Sequence, residues 1–193
     1  MHVLLLAILA CGAPMGGAPA AEPAPSRTIA VASDGHDTDP AAFCEVWAPE
    51  AATARSFVLP ETEGPVPAPD PGWTWWNLWA TWCVPCLEEL PRIREWDARL
   101  DQEGVPVAVR FLSVDAAQAD LDAWRGRRPD APTGPRVRDQ ATVGPWLASL
   151  GVDASASIPI HVLVDPAGKV RCVRVGGVGD TDYATVRRIL QGR

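Results

Sequence analysis

In WTWWNLWATWCVPC, residues Trp73 to Cys86, an aromatic run passes directly into a pair of cysteines. Large aromatic side chains suit a pleated, buried surface, so Trp73 to Trp79 predicts a central strand. After Cys83 the apolar residues Leu87, Leu90, Ile93, Trp96 and Leu100 recur at three- and four-residue steps, which is the period of one buried helical face. The cysteines therefore sit where a strand gives way to a helix, with Cys83 at the helix N-terminus and Cys86 one turn in. Unpaired backbone N–H groups and the positive end of the helix dipole stabilise a thiolate at that position, and the thiolate is the form that attacks a disulfide. The two-residue spacing lets Cys86 reach back to the Cys83 sulfur. The expected cycle has Cys83 attack a substrate disulfide to give a mixed disulfide, which Cys86 resolves by closing the Cys83–Cys86 bond. Run backwards, the same steps oxidise a dithiol.

Other uses of such a pair fit less well. Attachment of a c-type haem requires His directly after the second cysteine, and Leu87 stands there. A structural zinc site requires four ligands, and no second close pair of Cys or His accompanies this one. A purely structural disulfide suits an exported protein, but a strand-to-helix junction is a place for reactivity.

Working outward, Pro91 is expected to kink the helix. Val105 to Val114 reads as a strand, and Ala116 to Arg127 as a helix with Leu121 and Trp124 inward. Val143 to Leu150 makes a further helix, ended by Gly151 as a left-handed cap. Ile160 to Val164, the turn Asp165 to Gly168, and Lys169 to Val175 read as a hairpin, followed by a helix from about Thr181 to Leu190. Upstream, Phe43 to Trp47 and Ser56 to Leu59 look β-like, and ETEGPVPAPDPG from Glu61 to Gly72 reads as a loop. This order implies an α/β fold with a mixed central sheet flanked by helices on both faces.

Hydrophobic residues make up 47% of the 193 and charged residues 21%, enough to build one buried core of roughly 150 residues. The net charge of -7 argues against a nucleic-acid partner, which would call for clustered Lys and Arg. Arg125, Arg127 and Arg128 form the densest basic group and read as a solvated helix end. From Gly12 to Ala42 the chain is rich in Ala, Pro, Gly and Asp and reads as a flexible tether, leaving residues 43–193 as the folded domain.

Five cysteines, at positions 11, 44, 83, 86 and 172, make an odd count that asks for one with a separate fate. Val3 to Ala10, VLLLAILA, is apolar but far too short to span a bilayer, and it reads as the core of a signal peptide. Ile8-Leu9-Ala10-Cys11 resembles a bacterial lipobox, in which the cysteine becomes the first mature residue and carries a lipid. The alternative is ordinary cleavage after Ala18-Pro19-Ala20; both place the protein outside the cytoplasm. In that oxidising compartment Cys44 and Cys172 are expected to pair as a structural disulfide, with two free thiols as the alternative.

WCVPC followed by Glu89 and Pro91, and much later by Ile158-Pro159, a strand and Asp165-Pro166-Ala167-Gly168, resembles the thioredoxin superfamily. Within it the likeness is to the membrane-tethered TlpA/ResA-like extracytoplasmic reductases, over roughly Pro60 to Leu190. The resemblance implies a thioredoxin-like fold and a cis-proline at Pro159 packed against the disulfide. It implies that Ile158 offers backbone groups for pairing with a substrate strand, and that Trp82 presents an apolar face to partners. Glu89 matches an acidic residue near the cysteines that assists Cys86 in proton exchange, a surface glutamate being the alternative. Pro91 matches a structural helix proline.

The resemblance further implies reduction of disulfides in exported proteins, apocytochrome c among them, with electrons from an integral-membrane thiol donor. No cofactor is expected beyond the Cys83–Cys86 dithiol, no metal, and no oligomer beyond a monomer. The competing reading is a copper chaperone of the same fold, with Cys83, Cys86 and His161 as ligands. Against it, His161 lies in an apolar strand where a hydrogen-bonded core histidine is the simpler expectation.

Overall fold

The computed structural model describes residues 38–192. Trp73–Trp79 forms a strand, β3, in which Trp75, Leu78 and Trp79 have no exposed surface. It is preceded by two short strands, β1 (Val46–Trp47) and β2 (Thr62–Glu63). It is followed by β4 (Val107–Ser113), β5 (Arg136–Val137), β6 (Ile160–Val164) and β7 (Val170–Val175). The strands join in the order β1-β7-β6-β3-β4-β5-β2. β3 runs parallel to β4 and antiparallel to β6, and β4 runs parallel to β5, so the sheet is mixed. A strand at this central position is covered on both faces, which is why it tolerates a nearly continuous aromatic run.

Five helices accompany the sheet: α1 (Pro40–Phe43), α2 (Val84–Gln102), α3 (Gln118–Arg125), α4 (Val143–Leu150) and α5 (Tyr183–Leu190). They bury two hydrophobic clusters. One gathers Trp76, Leu78 and both motif cysteines with Leu121 and Trp124 of α3 and Trp146, Leu147 and Leu150 of α4. The other gathers Trp75 with Ile93, Trp96 and Leu100 of α2 and Tyr183, Val186 and Ile189 of α5, together with Cys44 and Cys172. This is the expected α/β architecture of thioredoxin-like type.

Long periodic elements match their expected limits closely, and α4 does so at both ends. Gly151 ends α4 with φ 94°, and a Cβ there would meet the Arg55 guanidinium at 2.7 Å. The helix α2 runs on past Pro91. Differences gather before Trp73. Residues 38–42, expected in the tether, are part of the fold, because Asp39 caps α1 by accepting from the Ala41 N–H and Pro40 opens the helix. Thr38 N–H also donates to Thr185 Oγ1 at 2.9 Å. The expected β-like piece Phe43 to Trp47 is therefore helix end, turn and two strand residues. Ser56 to Leu59 is not a strand: Ser56 makes one bridge to Lys169, while Phe57 stacks on Trp76 at 5.8 Å and the Trp146 indole donates to the Val58 carbonyl. The expected loop Glu61 to Gly72 contains β2, which pairs Thr62 with Val137 and Glu63 with Arg136.

Candidate redox site

Cys83 is the N-cap of α2, with β-region backbone angles and its Sγ accepting the Cys86 N–H at 3.3 Å. Its extended conformation follows from the sharp passage out of β3. Pro85 in the first helical turn has no N–H, at a place where helix N–H groups lack partners in any case. The structure shows the Cys83–Cys86 disulfide closed, with sulfurs 2.01 Å apart. Both cysteines are buried, at 4% and 0% exposure, so a partner must dock closely to reach the bond.

The loop that delivers Cys83 is tied to the end of β4. Asp115, itself buried, accepts from the Thr81 N–H at 3.1 Å, from the Thr81 hydroxyl at 2.6 Å and from the Ser113 hydroxyl at 2.7 Å. Arg136, buried beside it, donates to the carbonyls of Asp115, Ala116 and Val137 and pairs with Glu63. These bonds fix the backbone one residue before Trp82. Trp82 and Val84 then flank the disulfide with 65% and 63% of their surface exposed, an apolar rim beside the buried sulfurs.

Pro159 is buried and follows a cis peptide bond from Ile158. The Ile158 carbonyl oxygen lies 3.8 Å from Cys83 Sγ. The Pro159 carbonyl accepts from the Gly176 N–H at 2.9 Å, so the segment before β6 and the segment after β7 are held together.

Glu89 is not a surface glutamate. It is 2% exposed and faces inward with Cys86, Leu90 and Ile93. Its Oε1 accepts from Asn77 Nδ2 at 2.8 Å, and its Oε2 accepts from the Val178 N–H at 3.0 Å. His161 Nε2 lies 3.3 Å from the same Oε2. A Cβ on Gly177 would come within 3.2 Å of that oxygen and 3.8 Å of Pro159, so glycine permits the loop after β7 to close over the carboxylate. Residues three apart on a helix are neighbours, which places Glu89 on the same side of α2 as Cys86.

Asn77, Asp115 and Thr81 carry this geometry without having been singled out in the sequence. Asn77 was visible as a polar residue inside a buried strand and Asp115 as one just past the end of another, and a buried polar group must find partners. His161 does not join the cysteines. Its Nδ1 accepts from the Trp75 indole N–H at 3.1 Å, and its Nε2 lies 3.3 Å from Glu89 Oε2 without forming a hydrogen bond. Among the described residues no group of three or more His, Cys, Asp or Glu is placed to hold a metal ion.

Cys44 and Cys172 are joined, with sulfurs 2.02 Å apart across 128 residues of sequence. Cys44 lies just past α1 rather than in a strand, while Cys172 sits in β7. Cys11 lies outside the described residues.

The chain has a thioredoxin-like fold, and the cysteine pair at the mouth of α2 gives it the site of a thiol–disulfide oxidoreductase. One solved structure agrees. A protein assigned as the thiol:disulfide interchange protein DsbE of Chlorobium tepidum superposes with TM-score 0.52 at 25% identity, covering 72% of this chain and 94% of that one. A secreted thiol-disulfide isomerase from Corynebacterium glutamicum gives TM-score 0.49 at 21% identity, covering 64% and 73%. In sequence, 48 residues are 33% identical to the thioredoxin-like protein YneN of Bacillus subtilis (strain 168). That match spans 25% of this chain and 28% of the curated relative. No family model matches.

Proposed function

We propose that this chain is an extracytoplasmic protein-disulfide reductase that works through Cys83 and Cys86. The observation that carries the reading is Cys83 at the N-cap of α2, accepting the Cys86 N–H and lying against the Ile158 carbonyl. In the reduced protein the Cys83 thiolate attacks one sulfur of a substrate disulfide. That bond breaks, and the leaving thiolate takes up a proton. Cys86 then gives its proton to Glu89 and attacks Cys83 Sγ, forming the internal disulfide as the mixed disulfide breaks. Two electrons pass to the substrate, whose two thiolates take their protons from solvent, and the dithiol needs no further cofactor.

Trp82 and Ile158 would seat the substrate, the first by apolar contact and the second through backbone groups. Pro159 fixes the segment that presents them. An export compartment agrees with the Cys44–Cys172 bond, which would serve as a structural staple where thiols are kept oxidised. Attachment by a lipid on Cys11 and electrons from an integral-membrane thiol donor complete the reading. Exported proteins with disulfides, including the haem-binding cysteine pair of apocytochrome c, are the proposed substrates, met by a monomer. Copper delivery gains no support, because His161 is committed to Trp75 and Glu89.

The test is insulin reduction with dithiothreitol as electron source. The native chain should accelerate it and Cys83→Ser should not. Equal rates with the variant, or no acceleration by the native chain, would contradict the proposal.

A further inference from the structure

Behind the disulfide, a histidine is locked in one tautomer by a tryptophan. The indole N–H of Trp75 is a donor only, so His161 Nδ1, 3.1 Å away, must accept. In the neutral ring the proton then sits on Nε2, which points at Glu89 Oε2 from 3.3 Å. Nothing in the exchange cycle itself requires a histidine there, and a leucine or valine would match the rest of β6.

We infer that His161 is a positioning residue for the resolving step: held by Trp75, it keeps an Nε2–H that makes no hydrogen bond in the disulfide form 3.3 Å from Glu89 Oε2, and so steadies the carboxylate one helical turn from Cys86. This rests on the reductase reading above. The carboxylate is hydrogen-bonded from two elements and faced by a third. β3 supplies the Asn77 amide and the loop after β7 the Val178 N–H, while β6 sets His161 Nε2 at 3.3 Å without a hydrogen bond. The two β-strand residues are in register, since Asn77 pairs with His161 across β3 and β6. Two further charged side chains border this neighbourhood: Arg92 of α2, whose Nη1 donates to the Val178 carbonyl at 3.0 Å, and Arg174, opposite His161 on β7. Its guanidinium is turned to the Phe43 carbonyl at 3.1 Å and the Phe43 ring at 5.0 Å.

The chemical consequence lies at Cys86. When Cys86 attacks the mixed disulfide, its S–H bond breaks and the proton goes to Glu89. The new Cys83–Cys86 bond releases the substrate thiolate, which takes a proton from solvent. A carboxylate with a fixed orientation meets that proton without first reorienting. Removing His161 takes the Nε2–H away from the side of Oε2, whose hydrogen bond in this structure comes from the Val178 N–H. The resolving step should then slow, and its pH dependence should move. Attack by Cys83, which does not use Glu89, provides the internal reference.

The experiment is rapid mixing of the reduced full chain with a small disulfide peptide, reading mixed-disulfide formation and its resolution separately across pH 5 to 9. His161→Leu should lower the resolution rate about ten-fold relative to attack, a fraction of the effect of a well-placed proton acceptor. His161→Gln, which keeps an N–H within reach of Glu89, should recover most of it. Trp75→Phe should act in the same direction but less. In a Glu89→Gln background His161→Leu should add no further loss, because the two act as one unit.

Native resolution and a native pH profile in His161→Leu would overturn the inference, as would an equal loss without Glu89. If His161→Leu fails to fold, Trp75→Phe with and without Glu89→Gln decides by the same criteria. Failure of the native chain to attack the peptide at all would instead defeat the reductase reading.

Discussion

The two disulfides of this chain contain the same bond and have opposite surroundings. Cys83–Cys86 closes a loop across a separation of three residues, at the mouth of a helix whose free N–H groups favour a thiolate. Cys44–Cys172 ties residues 128 apart, from the end of α1 to β7, one strand in from the sheet edge, among the apolar side chains of the second cluster. A short loop gains little from closure, while a long one loses much of its unfolded-state freedom. Position in the fold therefore assigns exchange to one pair and stability to the other.

That contrast breaks most visibly in activity. Cys83→Ser should lower insulin-reduction turnover by at least ~1,000-fold, because among the described residues no other cysteine caps a helix N-terminus. Cys44→Ser with Cys172→Ser should leave turnover within about two-fold at a temperature where that variant is folded. Stability should show the reverse order. Removing the Cys44–Cys172 pair should cost about 2–5 kcal/mol in urea unfolding, whereas reducing Cys83–Cys86 should cost far less. A comparable loss from both would erase the distinction.

Asp115 sharpens the same comparison from the redox side. Asp115→Ala leaves the Thr81 N–H and hydroxyl without their acceptor, and should cost about 1–3 kcal/mol. Because those bonds position the approach to Cys83, turnover should fall as well, an effect that loss of the staple does not share.

The smallest effect lies at high pH on the staple side. Tyr183 packs in the same cluster as Cys44 and Cys172, and burial, followed by the Glu103 carboxylate, pushes its phenol from 10.0 up to about 12. The folded protein thus holds this proton more tightly than the unfolded chain. Its contribution is complete below pH 10 and is lost as pH rises toward about 12. The unfolding midpoint should fall across that interval, and Tyr183→Phe should flatten the decline. A midpoint equally pH-dependent in the variant would remove Tyr183 as the cause.

Where one period dominates, the fold was legible in the sequence. The aromatic strand, the apolar stripe of α2 and the hairpin after Pro159 each carry a repeat that only one backbone geometry satisfies. The first seventy residues were harder to read. Phe57 to Leu59 is held by side-chain stacking and a Trp146 hydrogen bond, and β2 exists because Arg136 and Val137 come to meet it. Neither leaves a periodic trace.

The site divides in the same way. Cys83 and Cys86 announce themselves by spacing, and Glu89 was singled out only by the family resemblance. The partners of Glu89 do not, because Asn77, His161 and Val178 converge on it from three distant segments. A histidine in an apolar strand signals that some partner exists, but the sequence does not say which.

Central to this account is a sulfur made reactive by its place at the start of α2. Following alkylation of reduced protein by iodoacetamide against pH, with Cys86→Ser to isolate Cys83, measures this directly. The account predicts half-maximal reactivity at least about one pH unit below the ~8.5 of an ordinary free cysteine. A midpoint at or above ~8.5 would contradict it.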